Sequence, residues 1–109
     1  MKIDKIEDVT KENIIARASD LSKFVLRTPT IQLSSERLKT YLSGAEIYLK
    51  LECMQHTGTF KARGAISVAL QIPTDEVKFG ITAASAGNHA IASSWAARQI
   101  DTTAKVVMA

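Results

Sequence analysis

One lysine, in the segment HTGTFKARGA at residues 56–65, stands where its chemistry could matter. Gly58 allows a tight turn and Thr59 supplies a capping hydroxyl, so Lys61 falls in the first turn of a predicted helix. The N–H groups of that turn and the nearby Arg63 disfavour a second positive charge. They therefore favour the neutral amine, which is the form that attacks a carbonyl to give a Schiff base. A lysine on an ordinary helix is solvated, and the spacing alone leaves this simpler interpretation open.

A second polar segment, SAGNHA at residues 85–90, precedes another predicted helix. Its serine, glycine and asparagine offer backbone and short side-chain hydrogen-bond donors, which suit a carboxylate or a phosphate. Asn88 adds an amide that can donate a hydrogen bond to a phenolate-type oxygen. An ordinary helix cap followed by a solvated His89 would have the same sequence, and this alternative also stays open.

Hydrophobic periodicity predicts the elements that would position these two segments. The Thr-Pro segment near the N-terminus is expected to be extended, because proline disfavours helical geometry in the residue before it. The predicted elements are a helix at residues 10–23, a short helix capped by Ser34 and ending near Gly44, a strand at 46–52, a helix capped by Thr59 and stopped by Pro73, a strand at 79–84, a helix carrying Ile91 and Trp95 at core positions, and a strand that begins at Ala104.

The succession of strand, loop, helix and strand predicts an α/β fold with parallel strands. Both polar segments then lie at a strand-to-helix junction, which is where open α/β sheets bind ligands. The sequence ends within the strand that begins at Ala104, although a parallel sheet needs both of its faces covered. We therefore expect the front part of a larger α/β protein, with apolar sheet surface exposed.

Composition and charge argue against several classes of protein. The net charge is +3, and the 14 basic and 11 acidic residues are interleaved without a basic cluster beside aromatics, which disfavours nucleic-acid binding. No run approaches the ~18 apolar residues of a membrane span, and the mixed N-terminus lacks a targeting signal, so we expect a cytoplasmic protein without membrane association. Cys53 is the only cysteine and is predicted to be a small buried filler, while His56 and His89 lack a third metal ligand.

The two segments together, LKLECMQHTGTFKARGA followed by ASAGNHA, closely resemble the fold-type II pyridoxal-phosphate enzymes. Among these enzymes the chain is most similar to the threonine/serine ammonia-lyases, also called dehydratases, whose relatives include serine racemase. The resemblance extends from Arg27 in RTPT to the end of the sequence. Cysteine synthases and threonine synthases typically carry Asn-Pro before the lysine segment, whereas Gln55 and His56 stand there in this chain.

The resemblance implies a tryptophan synthase beta-like fold, of which this chain holds a part: a three-layer architecture around a parallel sheet. Residues 1–76 would be the N-terminal part of the large cofactor-binding domain, including the lysine helix. Residues 77–109 would be the first strand, helix and strand of the small domain, which they leave incomplete. The family's glycine-rich loop for the cofactor phosphate has no counterpart, because the five glycines of the chain are scattered.

The resemblance also implies roles for the residues of both segments. Lys61 would bind pyridoxal 5′-phosphate through a Schiff base and then transfer the proton at the α-carbon of an amino-acid substrate. Phe60 would pack against the cofactor ring, and Asn88 would donate a hydrogen bond to the 3′ oxygen of the cofactor. The loop that holds the substrate carboxylate would consist of Ser85, Ala86, Gly87, Asn88 and His89.

The implied reaction is elimination of the β-hydroxyl from L-threonine or L-serine, which yields a 2-oxo acid and ammonia. The related serine racemases use a serine immediately before the loop glycine as a second proton donor. Ala86 stands there and cannot transfer a proton, which favours elimination over racemisation. Two alternatives remain open: a serine racemase, and an inactive truncated paralogue that acts by binding a full-length subunit. A full-length form could also be a homo-oligomer.

Overall fold

The computed structural model describes residues 8–108 of the chain. The first seven residues of the predicted large-domain part, and Ala109 at the end of the predicted last strand, lie outside these residues. The helices and strands are α1 (Lys11–Leu21), β1 (Thr30–Gln32), α2 (Glu36–Leu42), β2 (Tyr48–Lys50), α3 (Lys61–Ala69), β3 (Ile81–Ala84), α4 (Asn88–Gln99) and β4 (Ala104–Val107). Their order confirms the predicted succession of elements, except that β1 was predicted only as an extended segment.

The two short helices near the N-terminus differ in how they begin. In α1 the Thr10 hydroxyl accepts a hydrogen bond from the Asn13 backbone N–H at 3.1 Å, which satisfies one of the free donors of the first turn. In α2 the cap is Ser35 and not Ser34, so the predicted cap was wrong by one residue. The reason is that the carbonyl of Ser35 accepts the first intrahelical bond, from Lys39 N–H.

The strands form two separate pairs. β3 and β4 are parallel, with Ala83 opposite Val106, as the strand–helix–strand order predicts. β1 and β2 are antiparallel, with Ile31 opposite Leu49, and the expectation of parallel strands was wrong for this pair. Consecutive left-handed residues at the end of α2, Ser43 and Gly44, turn the chain back alongside β1.

The core is small and lies where α3 packs against α4. Its buried cluster consists of Leu21, Ile66, Ala69 and Ala96, and Ile66 is the only large side chain within residues 8–108 that is fully buried. Buried alanines on the facing sides of the two helices let their backbones approach closely. The cluster therefore joins residues from both sides of position 76, the predicted domain boundary.

Much apolar surface stays exposed, as the sequence predicted. The burial pattern of β1 and β2 contains no buried residue, and Val107 on β4 is 64% exposed. The radius of gyration is 17.3 Å, against roughly 13 Å for a compact domain of this length.

Two predictions of burial were wrong, since Cys53 is exposed and Ile91 is 55% exposed, whereas Trp95 packs against the core. None of the helices described is long and apolar enough to cross a membrane.

Candidate active site

The turn before α3 places Lys61 at the first position of that helix. Gly58 has a φ of +71°, a conformation that favours glycine, and its N–H donates a hydrogen bond to the Gln55 carbonyl at 2.7 Å. The cap of α3 is Phe60 and not Thr59, so the predicted cap was wrong by one residue, and the Thr59 hydroxyl accepts only a long hydrogen bond from the Lys61 N–H, at 3.4 Å. The predicted turn, and the place of Lys61 in the first turn of the helix, are confirmed.

The Lys61 amine lies beside an aromatic ring and at the edge of a cleft. Its Nζ atom is 5.3 Å from the centroid of the Phe60 ring, within the range of a cation–π contact. The side chains of both residues are exposed. The nearby Arg63 guanidinium is bound to the carboxylate of Glu52.

A cleft of about 460 Å³ lies between α3, α4 and β3. Phe60 and Lys61 line it from α3 and its preceding turn, and His89 and Ser93 line it from α4. Small and aliphatic residues of α3, α4 and β3, with Ile72 after α3, complete its walls. Volume and lining are those of a small-molecule site, which is mostly apolar with a few polar groups.

The SAGNHA segment forms the connection from β3 to α4, as predicted, but only part of it reaches this cleft. The Ser85 N–H donates to the Val107 carbonyl at 3.0 Å, and the Ser85 hydroxyl accepts from the Gly87 N–H at 3.2 Å. His89 lines the cleft with Lys61, whereas Ser85, Ala86, Gly87 and Asn88 are not part of its lining. The structure thus brings together three of the predicted site residues, namely Phe60, Lys61 and His89.

Behind the lysine helix lies a polar network that the sequence did not reveal. Arg63 donates two parallel hydrogen bonds to Glu52, from Nε at 2.8 Å and from Nη2 at 2.7 Å. These bonds, with a smaller contribution from the Thr28 hydroxyl, lower the pKa of Glu52 from 4.5 to about 2, although partial burial opposes the shift. The carboxylate in turn raises the pKa of Arg63.

Two buried polar side chains complete this network. Thr28 donates to Glu52 Oε1 at 2.5 Å, and Lys50 Nζ donates to the Thr28 carbonyl at 2.5 Å. Gln55 is bonded to both backbone groups of Leu26: its Oε1 accepts from the N–H at 2.9 Å and its Nε2 donates to the carbonyl at 3.0 Å. Glu52 and Gln55 shortly after a strand were the available signal, but their partners Thr28 and Leu26 lie 24 and 29 residues upstream.

An aromatic contact joins the lysine turn to α4. The rings of His56 and Trp95 are stacked, with centroids 5.7 Å apart and planes inclined by 22°. On the other side of α4 a larger, open cavity of about 790 Å³ faces β4. That cavity contains none of the predicted site residues, so the cleft at Lys61 is the better candidate.

Comparison with known proteins gives a family match over most of the chain. A family model described as "Pyridoxal-phosphate dependent enzyme" matches residues 21–109. A putative threonine dehydratase of Sinorhizobium fredii is 36% identical over 106 residues, which cover 97% of this chain and 31% of that protein. The L-threonine ammonia-lyase of Thermotoga maritima is 39% identical over 100 residues, which cover 92% of this chain and 24% of that protein.

Solved structures include close matches to the fold. The structure of maize serine racemase superposes with a TM-score of 0.77 and 30% sequence identity, over 90% of this chain and 30% of that one. The chain therefore spans between 24% and 31% of the length of these three proteins. These proteins are a putative threonine dehydratase, an L-threonine ammonia-lyase and a serine racemase. The architecture is that of fold-type II enzymes.

Proposed function

Because the chain belongs to the pyridoxal-phosphate dependent enzyme family, we propose that it supplies the lysine-bearing portion of an ammonia-lyase for L-threonine or L-serine. The observation that carries this proposal is the position of Lys61, at the start of a helix and at the edge of an apolar cleft. The names of two similar proteins, a putative threonine dehydratase and an L-threonine ammonia-lyase, support the substrate class. Residues 1–76 and 77–109 would be parts of a large and a small domain.

The residues around Lys61 fit a small aromatic cofactor. The cleft of about 460 Å³ has mostly apolar walls, the exposed Phe60 ring at its edge and a primary amine beside that ring. An apolar wall accepts a flat ring, and the amine can bind its aldehyde group covalently. When bound, pyridoxal phosphate withdraws electrons from the α-carbon of the substrate.

Each site residue then has a distinct task. The Lys61 amine would hold the cofactor until the substrate's amine displaces it, and the released amine would then take up the proton from the α-carbon. Phe60 would pack against the ring, and Asn88, which begins α4 next to the cleft residue His89, would donate a hydrogen bond to its 3′ oxygen. Residues 85–89, of which His89 lines the cleft, would hold the substrate carboxylate, supported by the positive end of the α4 dipole, since α4 begins at Asn88.

Elimination is proposed over racemisation because of Ala86. This residue is exposed in the turn before α4, and its methyl group carries no transferable proton. The Ser85 hydroxyl already accepts the Gly87 N–H, which supports a role for Ser85 in shaping the turn. The serine racemase alternative is retained, because the maize enzyme has a TM-score of 0.77 with this chain.

The Lys61 assignment can be tested by chemical trapping. The protein is mixed with pyridoxal phosphate, reduced with borohydride and mapped by mass spectrometry. We expect the adduct on Lys61 and its loss in Lys61→Ala. Lys78 is a matched control, because its Nζ lies 5.1 Å from the Phe79 ring centroid in a similarly exposed position. Equal labelling of the two lysines would refute the assignment.

The reaction is tested with L-serine and L-threonine on the protein that carries this sequence. We expect a 2-oxo acid and ammonia, and no D-serine. Accumulation of D-serine without 2-oxo acid would establish the racemase alternative. Neither product, together with selective labelling of Lys61, would favour the paralogue that acts by binding another subunit.

A further inference from the structure

The two ends of the lysine turn are held by the same backbone carbonyl. Gln55, before the turn, donates from Nε2 to the Leu26 carbonyl at 3.0 Å, and Arg63, after it, donates from Nη2 to the same oxygen, also at 3.0 Å. Gln55 is only 4% exposed. Both ends of the segment that contains Gly58 and Lys61 are therefore hydrogen-bonded to one carbonyl oxygen, in a distant part of the chain.

Arg63 is suited to this task by its place on the helix. Residues two apart on an α-helix project about 200° from each other, and the contacts agree with this, since Lys61 lines the cleft and Arg63 binds Glu52 and Leu26. The guanidinium has enough donors to serve Glu52 twice and Leu26 once. A lysine at this position has a single charged nitrogen and lacks the planar fork for this geometry.

Glu52 holds the guanidinium of Arg63 in one orientation. Its carboxylate oxygens each accept one hydrogen bond from the guanidinium, which sets the plane of that group, and Oε1 also accepts from Thr28. Thr28 is 4% exposed, so the carboxylate is tied to the same upstream segment as Gln55. The Gly58 turn and the first turn of α3 are thus both held by hydrogen bonds to the same upstream segment, Leu26–Thr28.

We propose that Glu52, Gln55 and Arg63 are positioning residues for Lys61, which hold the first turn of α3 in register with the Leu26–Thr28 segment. We refer to these three residues as the Leu26 clamp. The proposal rests on the proposed function of Lys61 but concerns residues that do not touch the cofactor cleft. Loosening the clamp lets the Gly58 turn move, so the Lys61 amine is less often at its place beside Phe60.

The test compares Arg63→Lys and Glu52→Gln with Glu36→Gln, a control that removes the carboxylate of the exposed Lys39–Glu36 pair on α2. One measurement is the ratio of Lys61 to Lys78 labelling after borohydride trapping. A second is amide hydrogen exchange at residues 57–61 and, as an internal reference, at residues 92–97 of α4. The second measurement needs no cofactor, so it still tests the clamp if Lys61 is not labelled selectively.

In Arg63→Lys we expect the labelling ratio to fall and exchange at residues 57–61 to accelerate by about fivefold, the equivalent of one net hydrogen bond. Exchange in α4 should change less, and the control should change neither quantity. A purely structural role would accelerate exchange equally in both segments and leave the labelling ratio of the folded protein unchanged, which would overturn the proposal. If Arg63→Lys fails to fold, the same criteria apply to Glu52→Gln, which keeps the shape of the side chain.

Discussion

Two regions of this chain use similar interactions in different surroundings. The first, the lysine core, comprises α3, α4 and the Leu26 clamp, and the second, the hairpin arm, comprises residues 30–50 with β1, α2 and β2. The ion pair of the lysine core leaves its side chains 34% and 16% exposed, whereas the Lys39–Glu36 pair of the arm leaves them 66% and 87% exposed. No side chain of the helix or the strands of the arm is buried.

The difference lies in burial and in the hydrogen bonds that each ion pair shares with other groups. A solvated pair contributes little to stability, because water screens it and two long side chains lose freedom. A pair that shares its hydrogen bonds with a backbone carbonyl and with the buried Thr28 hydroxyl fixes a geometry, because breaking one partner leaves the others unsatisfied. The candidate cofactor lysine belongs to the lysine core. The arm meets this core at its base, where Lys50 donates to the Thr28 carbonyl and the Thr28 hydroxyl donates to Glu52.

The largest contrast is expected from core truncation. Ile66→Ala removes a fully buried side chain and should lower the free energy of unfolding by about 3 kcal/mol. Ile31→Ala in the arm removes a side chain that is already 45% exposed, and should cost less than about 1 kcal/mol. Urea unfolding followed by circular dichroism measures both. Similar losses in the two variants would remove the distinction between the regions.

A smaller contrast is expected from two glycines with positive φ. Gly80, between α3 and β3, has a φ of +81°, and an added Cβ would lie 2.8 Å from the Thr103 carbonyl oxygen. Gly44 in the arm has a φ of +88° with no atom within 4 Å of such a Cβ. Gly80→Ala should therefore cost about 2 kcal/mol or more, and Gly44→Ala about 1 kcal/mol. Thermal unfolding of both variants tests this order, and the reverse order would contradict the packing described at β3.

The smallest effect is expected from acid titration of the clamp. The folded-state pKa of Glu52 is lowered to about 2 from its ordinary 4.5. The group therefore stabilises the folded state above pH 4.5, and this contribution is lost as the pH falls towards 2. Glu52→Gln should remove on the order of 1 kcal/mol of this dependence after allowance for solvent.

The measurement is the free energy of unfolding in urea at several pH values across that window. The wild type and Glu36→Gln should lose more stability on acidification than Glu52→Gln does. A parallel decline in all three proteins would mean that the Glu52–Arg63 pair contributes nothing measurable to folding.

Local signals predicted most elements and missed most of the long-range contacts. The turn at Gly58, the start of α3 at Lys61 and the parallel pair formed by β4 follow from glycine, capping and periodicity, which act within a few residues. The antiparallel pairing of β1 with β2 and the exposure of Cys53 and Ile91 depend on which segments meet in space. The roles of Lys61, Phe60, Asn88 and the loop at residues 85–89 stay predictions.

The sequence by itself determined the family, and it predicted Lys61 as the residue on which the chemistry would depend. Two short motifs, HTGTFKARGA and SAGNHA, carried that information because covalent and hydrogen-bonding chemistry requires particular residue types in order along the chain. Only the tertiary structure decided that His89 faces the same cleft as Lys61, and that Gln55 and Arg63 converge on the Leu26 carbonyl. Such convergence joins residues 29 and 37 positions apart, and no local pattern encodes a contact at that separation.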